Sequence, residues 1–216
     1  MTNTNLEPKD FEKARADWFG WAVSMRRKAL DLTANELARR TEGLGYPISR
    51  STIAKIESNL RSGKIDVAEV LVLAAALDIP PVLLLFPQIG TDGGAIILPK
   101  FRAKEDDAVR WMSGALSFPQ EYDIRNLQLK GQPEPPNDGV KLVAALSLID
   151  ELLETRIALV DHLHKVQEHP AEARNAQRML DKNDEQIEAA RKQKVDAQKA
   201  LWGTRFASDK MEEPAR

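Results

Sequence analysis

Apolar positions in the first third of the chain recur at gaps of three and four. They fall at Phe11, Ala14, Trp18, Trp21, Ala22, Met25 and Ala29, which describes one face of a long first helix. Thr33 then opens "TANELARR" with Glu36 three residues on. That is a capping-box pattern, and it predicts a second helix reaching about Arg40. The stretch "TEGLGYP", with two glycines and a proline, breaks it. A third helix is predicted from about Ser49 to Ile56 or Asn59. Asp66, with Glu69 three on, caps a fourth, "VAEVLVLAAALD", stopped by Pro80 and Pro81. A short fifth turn, "VLLLF", ends at Pro87.

Periodicity then fades. Residues 88–138 hold "GTDGG", "FPQ" and "KGQPEPPNDG"; "AIIL" suits a short strand, "DDAVRWMSGAL" a short helix, and "GQPEPPNDG" a stiff, extended linker. Two long helical patterns follow. Residues 140–168 are apolar at 142, 146, 149, 153, 160 and 163, interrupted by Arg156. Residues 171–202 place Ala176, Leu180, Asn183, Ile187, Ala190, Lys194, Ala197 and Leu201 at alternating gaps of four and three. Pro170 disfavours helix at His169 and suits the first turn of a new one. Two arms of similar length around a tight break predict an antiparallel, coiled-coil-like hairpin, with a single kinked helix as the alternative. A second stripe, Ala145, Leu148, Leu152, Leu159 and Val166, asks for a further surface. A second copy of the chain is the first expectation, with Leu146, Leu153, Leu180, Ile187 and Leu201 as dimerisation residues. Docking on another protein, or folding back on the same chain, is the alternative.

Composition narrows the chemistry. Among the 216 residues there is no cysteine, which excludes disulfides, thiol catalysis and thiolate-bound metals. No apolar run approaches a membrane span, and "MTNTNLEPKD" lacks the basic and apolar regions of a signal peptide, so a cytoplasmic protein is expected. His162 and His164 lie two apart on different helix faces, and with His169 they make a poor metal set; no metal or cofactor is expected. No phosphate loop and no nucleophile–base signature is present, so no enzyme is expected. The net charge of −2 is uneven: residues 24–64 carry nine Lys/Arg against four Asp/Glu. One basic block in a mildly acidic chain marks a local polyanion-binding face.

That block contains "PISRSTIAKIESN" (residues 47–59). Ile48, Ile53 and Ile56, with Leu37 and Ala38, suit a small core between crossed helices. Ser49 suits the N-cap, which leaves Arg50, Ser51, Thr52 and Lys55 on the outer face. Free N–H groups and the helix dipole attract phosphate, and Arg or Lys donates to guanine O6 and N7. The expected partner is double-stranded DNA.

The ordered set "LTANELARR", "ISRSTIAKIESN" and "VLVLAAALDI" resembles the Cro/CI-type (XRE) helix-turn-helix repressors over about residues 22–86. The resemblance implies an all-α, lambda-repressor-like N-terminal domain of five helices. It implies that Arg50, Ser51 and Lys55 reach the major groove, that Thr52 meets a phosphate, and that Arg27 pairs with Glu57 structurally. Asn35, Asn59 and Arg61, together with Ser49, complete the expected DNA-contact set. Ala34 stands where the family often has Gln, the turn between helices two and three is longer than usual, and Asn59 replaces a common Gly. Asn tolerates the left-handed conformation such a position needs. Trp18, Phe19 and Trp21 are expected mainly as core against helix four, and the segment around Trp111 as cover for an apolar patch.

The predicted plan is a DNA-binding domain over 1–90, a connector over 91–138, a dimerising hairpin over 139–205 and a disordered tail over 206–216. The function expected is transcriptional regulation, most simply repression from a palindromic operator, as in a prophage or plasmid repressor. Two alternatives are an antitoxin whose hairpin grips its toxin and an assembly protein localised on DNA.

Overall fold

The computed structural model describes residues 6–61, 63–87 and 94–203; the expected tail over 206–216 lies outside them. The fold is mostly helical, and the chain divides into two compact units. One comprises residues 1–113 with 118–134, the other 114–117 with 135–216.

The first unit begins with five helices: α1 (Pro8–Ala29), α2 (Ala34–Gly43), α3 (Arg50–Glu57), α4 (Val67–Ala76) and α5 (Pro81–Leu85). Pro8 sits in the first turn of α1, where its missing N–H costs nothing. Thr33 caps α2 through the reciprocal box with Glu36, and Asp66 caps α4 by accepting from the Ala68 and Glu69 amides. The second helix runs one turn beyond the expected Arg40. Thr41 explains the extension: fully buried, its Oγ1 donates to the Ala38 carbonyl (2.8 Å) and accepts from the Ile48 amide (3.0 Å). The end of α2 is thereby tied to the approach to α3.

The core of these helices is Phe19, Val23, Leu37, Ile48, Ile53, Ile56, Val70, Leu73, Leu77 and Leu84. Of the three N-terminal aromatics only Phe19 belongs to it; Trp18 is half-buried and Trp21 is exposed. The α1 helix packs on α3 and α5, with no comparable contact to α4. Its crossing with α3 is close: a Cβ on Gly20 would lie 2.2 Å from the Ile56 carbonyl oxygen. Only glycine fits there.

The rest of the first unit adds two antiparallel hairpins and a helix: β1 (Ala95–Leu98) with β2 (Phe101–Ala103), α6 (Glu105–Met112), then β3 (Glu121–Asp123) with β4 (Gln128–Lys130). The stretch expected as a connector therefore has its own core, Phe86, Ala95, Ile97, Ala103 and Ala108, which also engages Val82 and Leu85 of α5. Trp111 meets Phe118 edge-on at 5.6 Å, and Phe101 lies 4.7 Å from the same ring. Alternation over three or four residues is too brief to announce strands, which is why only "AIIL" was legible.

The second unit is the helical hairpin α7 (Asp138–Lys165) and α8 (Pro170–Trp202), about 42 and 50 Å long at 1.5 Å per residue. The proline stretch before it is pinned by buried Ser117, whose Oγ donates to the Pro135 carbonyl (2.8 Å) and accepts from the Asn137 amide (3.0 Å). Along α8 the row 176, 180, 183, 187, 190 and 197 is buried, following the predicted spacing. Along α7 the row turned inward is Ala145, Leu152, Leu159 and Val166, with Leu142, Ile149 and Leu163 beside it. The expected first-arm seam placed Leu146 and Leu153 there, yet both are exposed. Leu142, Ile149 and Leu163 belong to either reading, so periodicity could not choose the flank. Small Ala145 opposite an alanine-rich α8 lets the helices approach closely, and that flank is the one buried. Among the described residues, no helix is long and apolar enough to cross a membrane.

Candidate nucleic-acid interface

The short helix α3 divides cleanly into two faces. Ile53 and Ile56 are buried against α1 and α2, while Arg50, Ser51, Ala54 and Lys55 face solvent. Ser49 closes its N-terminus by accepting from the Thr52 amide at 3.1 Å. Its hydroxyl also lies 2.9 Å from those of Ser51 and Thr52. Three hydroxyls thus ring the positive end of the helix, with Arg50 among them and Lys55 one turn on. Such an end offers donors to phosphate oxygens and base edges alike.

Asn35 and Ser49 are exposed beside this face, and with Arg50 they line an open groove of about 460 Å³ between α2 and the start of α3. Arg39 lines the same groove and is exposed. Sequence reasoning passed over it, although it stands one helical turn after Asn35, the spacing that places two residues on one helix face.

The basic block is not all interface. Arg27 grips Glu57 with two hydrogen bonds, Nε to Oε1 at 2.6 Å and Nη2 to Oε2 at 2.7 Å, and donates from Nη1 to the Leu32 carbonyl at 2.8 Å. The hydrogen bond that Arg27 donates to Glu57 holds its pKa above its ordinary value, against some desolvation. Arg26 donates to the carbonyls of Leu77 and Asp78, each at 3.0 Å, and Arg40 to that of Ala76 at 3.1 Å. Two arginines thus satisfy the open carbonyls at the end of α4. Arg61 is paired with the buried Glu69 of α4. Exposed and outside these bonds are Lys28, Arg39, Arg50, Lys55 and Lys64.

Two residues expected at DNA are therefore engaged inside the fold. Arg61 is held by Glu69. Asn59 takes a left-handed φ of 47° and donates from Nδ2 to the Lys13 carbonyl (3.1 Å) and to Asp17 (2.6 Å), anchoring the end of α3 to α1. The remaining expected residues, Asn35, Ser49, Arg50, Ser51, Thr52 and Lys55, share one surface. On the hairpin, Leu180 and Ile187 are spent in the seam between its own helices, whereas Leu146, Leu153 and Leu201 are exposed.

Arg15 is a half-buried cation that sequence reading missed. Its guanidinium lies over the rings of Trp18 (5.1 Å) and Phe86 (4.3 Å) and donates to the Leu85 carbonyl. Burial lowers its pKa to about 10. It ties α1 to α5 and lies apart from the α3 surface.

No curated protein and no solved structure matches the chain. A family model described as helix-turn-helix matches residues 23–84, which span the end of α1 through nearly all of α5. Over residues 23–84, then, the chain is similar to the XRE-type helix-turn-helix module, which a family of DNA-binding regulators carries.

Proposed function

We propose that the protein is a sequence-specific transcriptional repressor in which α3 reads the major groove of an operator. The observation that carries this reading is the division of α3: both isoleucines are buried while Arg50, Ser51 and Lys55 stand free on the opposite face of a hydroxyl-ringed N-terminus. Arg50 and Lys55 donate to base edges, Ser51 assists, and Thr52, Asn35 and Arg39 hold phosphates. Asn59 and Arg61 support the domain from within.

The protein acts as a homodimer on a two-fold operator in the cytoplasm, with recognition helices in successive major grooves roughly 34 Å apart. The hairpin holds the dimer through the outward row Leu146, Leu153 and Ile157, which its own seam leaves uncovered. The test is selection of binding sites from random DNA, followed by footprinting on the gene's upstream region. A palindromic consensus protected in two half-sites supports the reading; uniform binding to all sequences sinks it. A full-length chain that is monomeric in solution and captured only by the product of a neighbouring gene would favour the antitoxin reading.

A further inference from the structure

The most regular apolar row in the first third of the chain is not part of its core. Phe11, Ala14, Trp18, Trp21 and Met25, with Lys28 at the end, recur at alternating gaps of three and four. That is the spacing of a coiled-coil seam. Helix α1 buries another side, Ala16, Phe19, Ala22 and Val23. Trp21 is left 53% and Met25 48% exposed, with Trp18 half-buried beside them. Single exposed apolar residues need no explanation, but a contiguous row with two tryptophans marks a contact surface. The row lies largely on residues 8–22, the part of α1 that precedes the helix-turn-helix match at 23–84.

We infer that this row packs antiparallel on the same row of a second copy, joining copies that belong to two separate dimers. The contact itself is independent of the DNA-binding reading. Its consequence, the coupling of two occupied operators, rests on that reading.

Self-complementarity selects the second copy, because a two-fold contact sets each row against itself in the opposite direction. Centred between Trp18 and Trp21, the contact lays Trp18 on the partner subunit's Trp21. It also lays Met25 on the partner subunit's Ala14, large against small. Offset aromatic rings add attraction beyond the area they cover. At each end Lys28 comes level with the partner subunit's Phe11, its stem over the ring and its ammonium toward the partner subunit's Asp10. Asp10 and Lys28 are both exposed. Parallel pairing would instead set Lys28 against the partner subunit's Lys28, cation on cation. The other charges beside the row are engaged within their own copy. Arg15 is turned onto Phe86 and the Leu85 carbonyl, Arg26 onto the carbonyls of Leu77 and Asp78, and Asp17 is held by Asn59. Glu7 and Asp31 lie beyond the two ends of the row.

Geometry assigns the joined copies to different dimers. Gly20, where α1 crosses α3 at the Ile56 carbonyl, is two residues from Trp18 and so about 200° around the helix. The row and α3 therefore lie on largely opposite sides of α1, and joined copies carry their α3 helices on diverging outer sides. Two rings of roughly 150–250 Å² each stay short of the roughly 800 Å² per partner of a standard stable interface. The contact is accordingly reversible, and it strengthens where dimers are held close on neighbouring operators.

Sedimentation of the full chain over a concentration series tests this. The wild type should associate beyond its hairpin dimer. Trp21→Lys, at an exposed position, should stop at half that limiting mass with an unchanged melting temperature, and Met25→Lys should do the same. A wild type that stops at two copies, with Trp21→Lys at one, would strike the hairpin as a dimer contact and keep the α1 row. The chain has no cysteine, so introduced thiols report on direction. A mixture of Ala14→Cys and Met25→Cys chains should be joined by a short bismaleimide at least tenfold faster than Ala14→Cys chains alone. Equal limiting masses for the wild type and both lysine variants, or equal joining rates, overturn the contact.

Discussion

The two halves of this molecule are stabilised differently. The helix-turn-helix core interlocks large side chains from all of α1–α5, with Val23, Leu37, Ile53, Leu73, Leu77 and Leu84 fully enclosed. Its ends are tied by side chains reaching far along the chain, among them Arg27 to Glu57 and Asn59 to Asp17. The hairpin is a single seam. Its buried residues are largely alanines with Leu180, Ile187 and Val166, and one of them is the polar Asn183. Crossed helices enclose a volume, so each core residue has neighbours on every side. Two parallel cylinders touch along a line and leave most of their surface wet. The first architecture is therefore self-sufficient, and the second draws its stability from the length of its seam.

Removing the hairpin tests that contrast most strongly. A chain ending at Pro136 should remain folded and bind one half-site as well as the full-length protein, yet lose on the order of 10²–10⁴-fold in affinity for a two-half-site operator. Its salt dependence should shrink as fewer phosphates are neutralised per complex. Titrations at two salt concentrations, with light scattering on both chains, check this. Equal two-site affinity for the two chains would remove the hairpin from the dimer.

The next effect lies inside the interlocked core. Glu57→Ala leaves the Arg27 guanidinium near the core without its carboxylate, and should cost roughly 3 kcal/mol of stability. Arg27 keeps the Leu32 carbonyl, so the loss is of one partner rather than of all. Denaturant unfolding measures it, and DNA affinity should fall with it because Glu57 closes α3. Unchanged stability would show the pair to be ornamental.

Gly20→Ala probes the same core by overfilling it. The new Cβ meets backbone of α3, which no rotamer change relieves, and a cost of about 2 kcal/mol is expected. A matched Gly43→Ala, where a Cβ meets nothing, should be stable or slightly improved. The difference between the two melting temperatures is the readout.

The smallest effect belongs to the hairpin. Asn183 donates from Nδ2 to the Leu152 carbonyl at 3.2 Å, but its buried Oδ1 has no partner among the described residues. Asn183→Leu should stabilise the hairpin by about 1 kcal/mol, since an unsatisfied buried oxygen is removed. Guanidinium unfolding followed on the isolated hairpin segment would show it. A loss of stability would mean that the amide contributes more through the α7 carbonyl than it costs.

The sequence by itself determined every helix of the DNA-binding domain and the face that α3 turns outward. Those features follow from periodicity, caps and breakers, which act within a few residues. It also determined the α8 seam, whose spacing admits one inward row. Tertiary structure decided the rest. Which flank of α7 turns inward depends on how closely Ala145 lets α8 approach, and both flanks carry the same local pattern. Which cations are left free of partners within the fold depends on distant acceptors: Arg26, Arg27, Arg40 and Arg61 are taken by carbonyls and carboxylates of other segments. Net charge along the chain counts these four with Arg50 and Lys55, because a sum over sequence cannot see a partner brought near by folding. The two strand hairpins were hidden for a related reason. Their few residues carry too short a pattern to read beyond Ala95–Leu98, and of the two only β1 with β2 shares a core with α5.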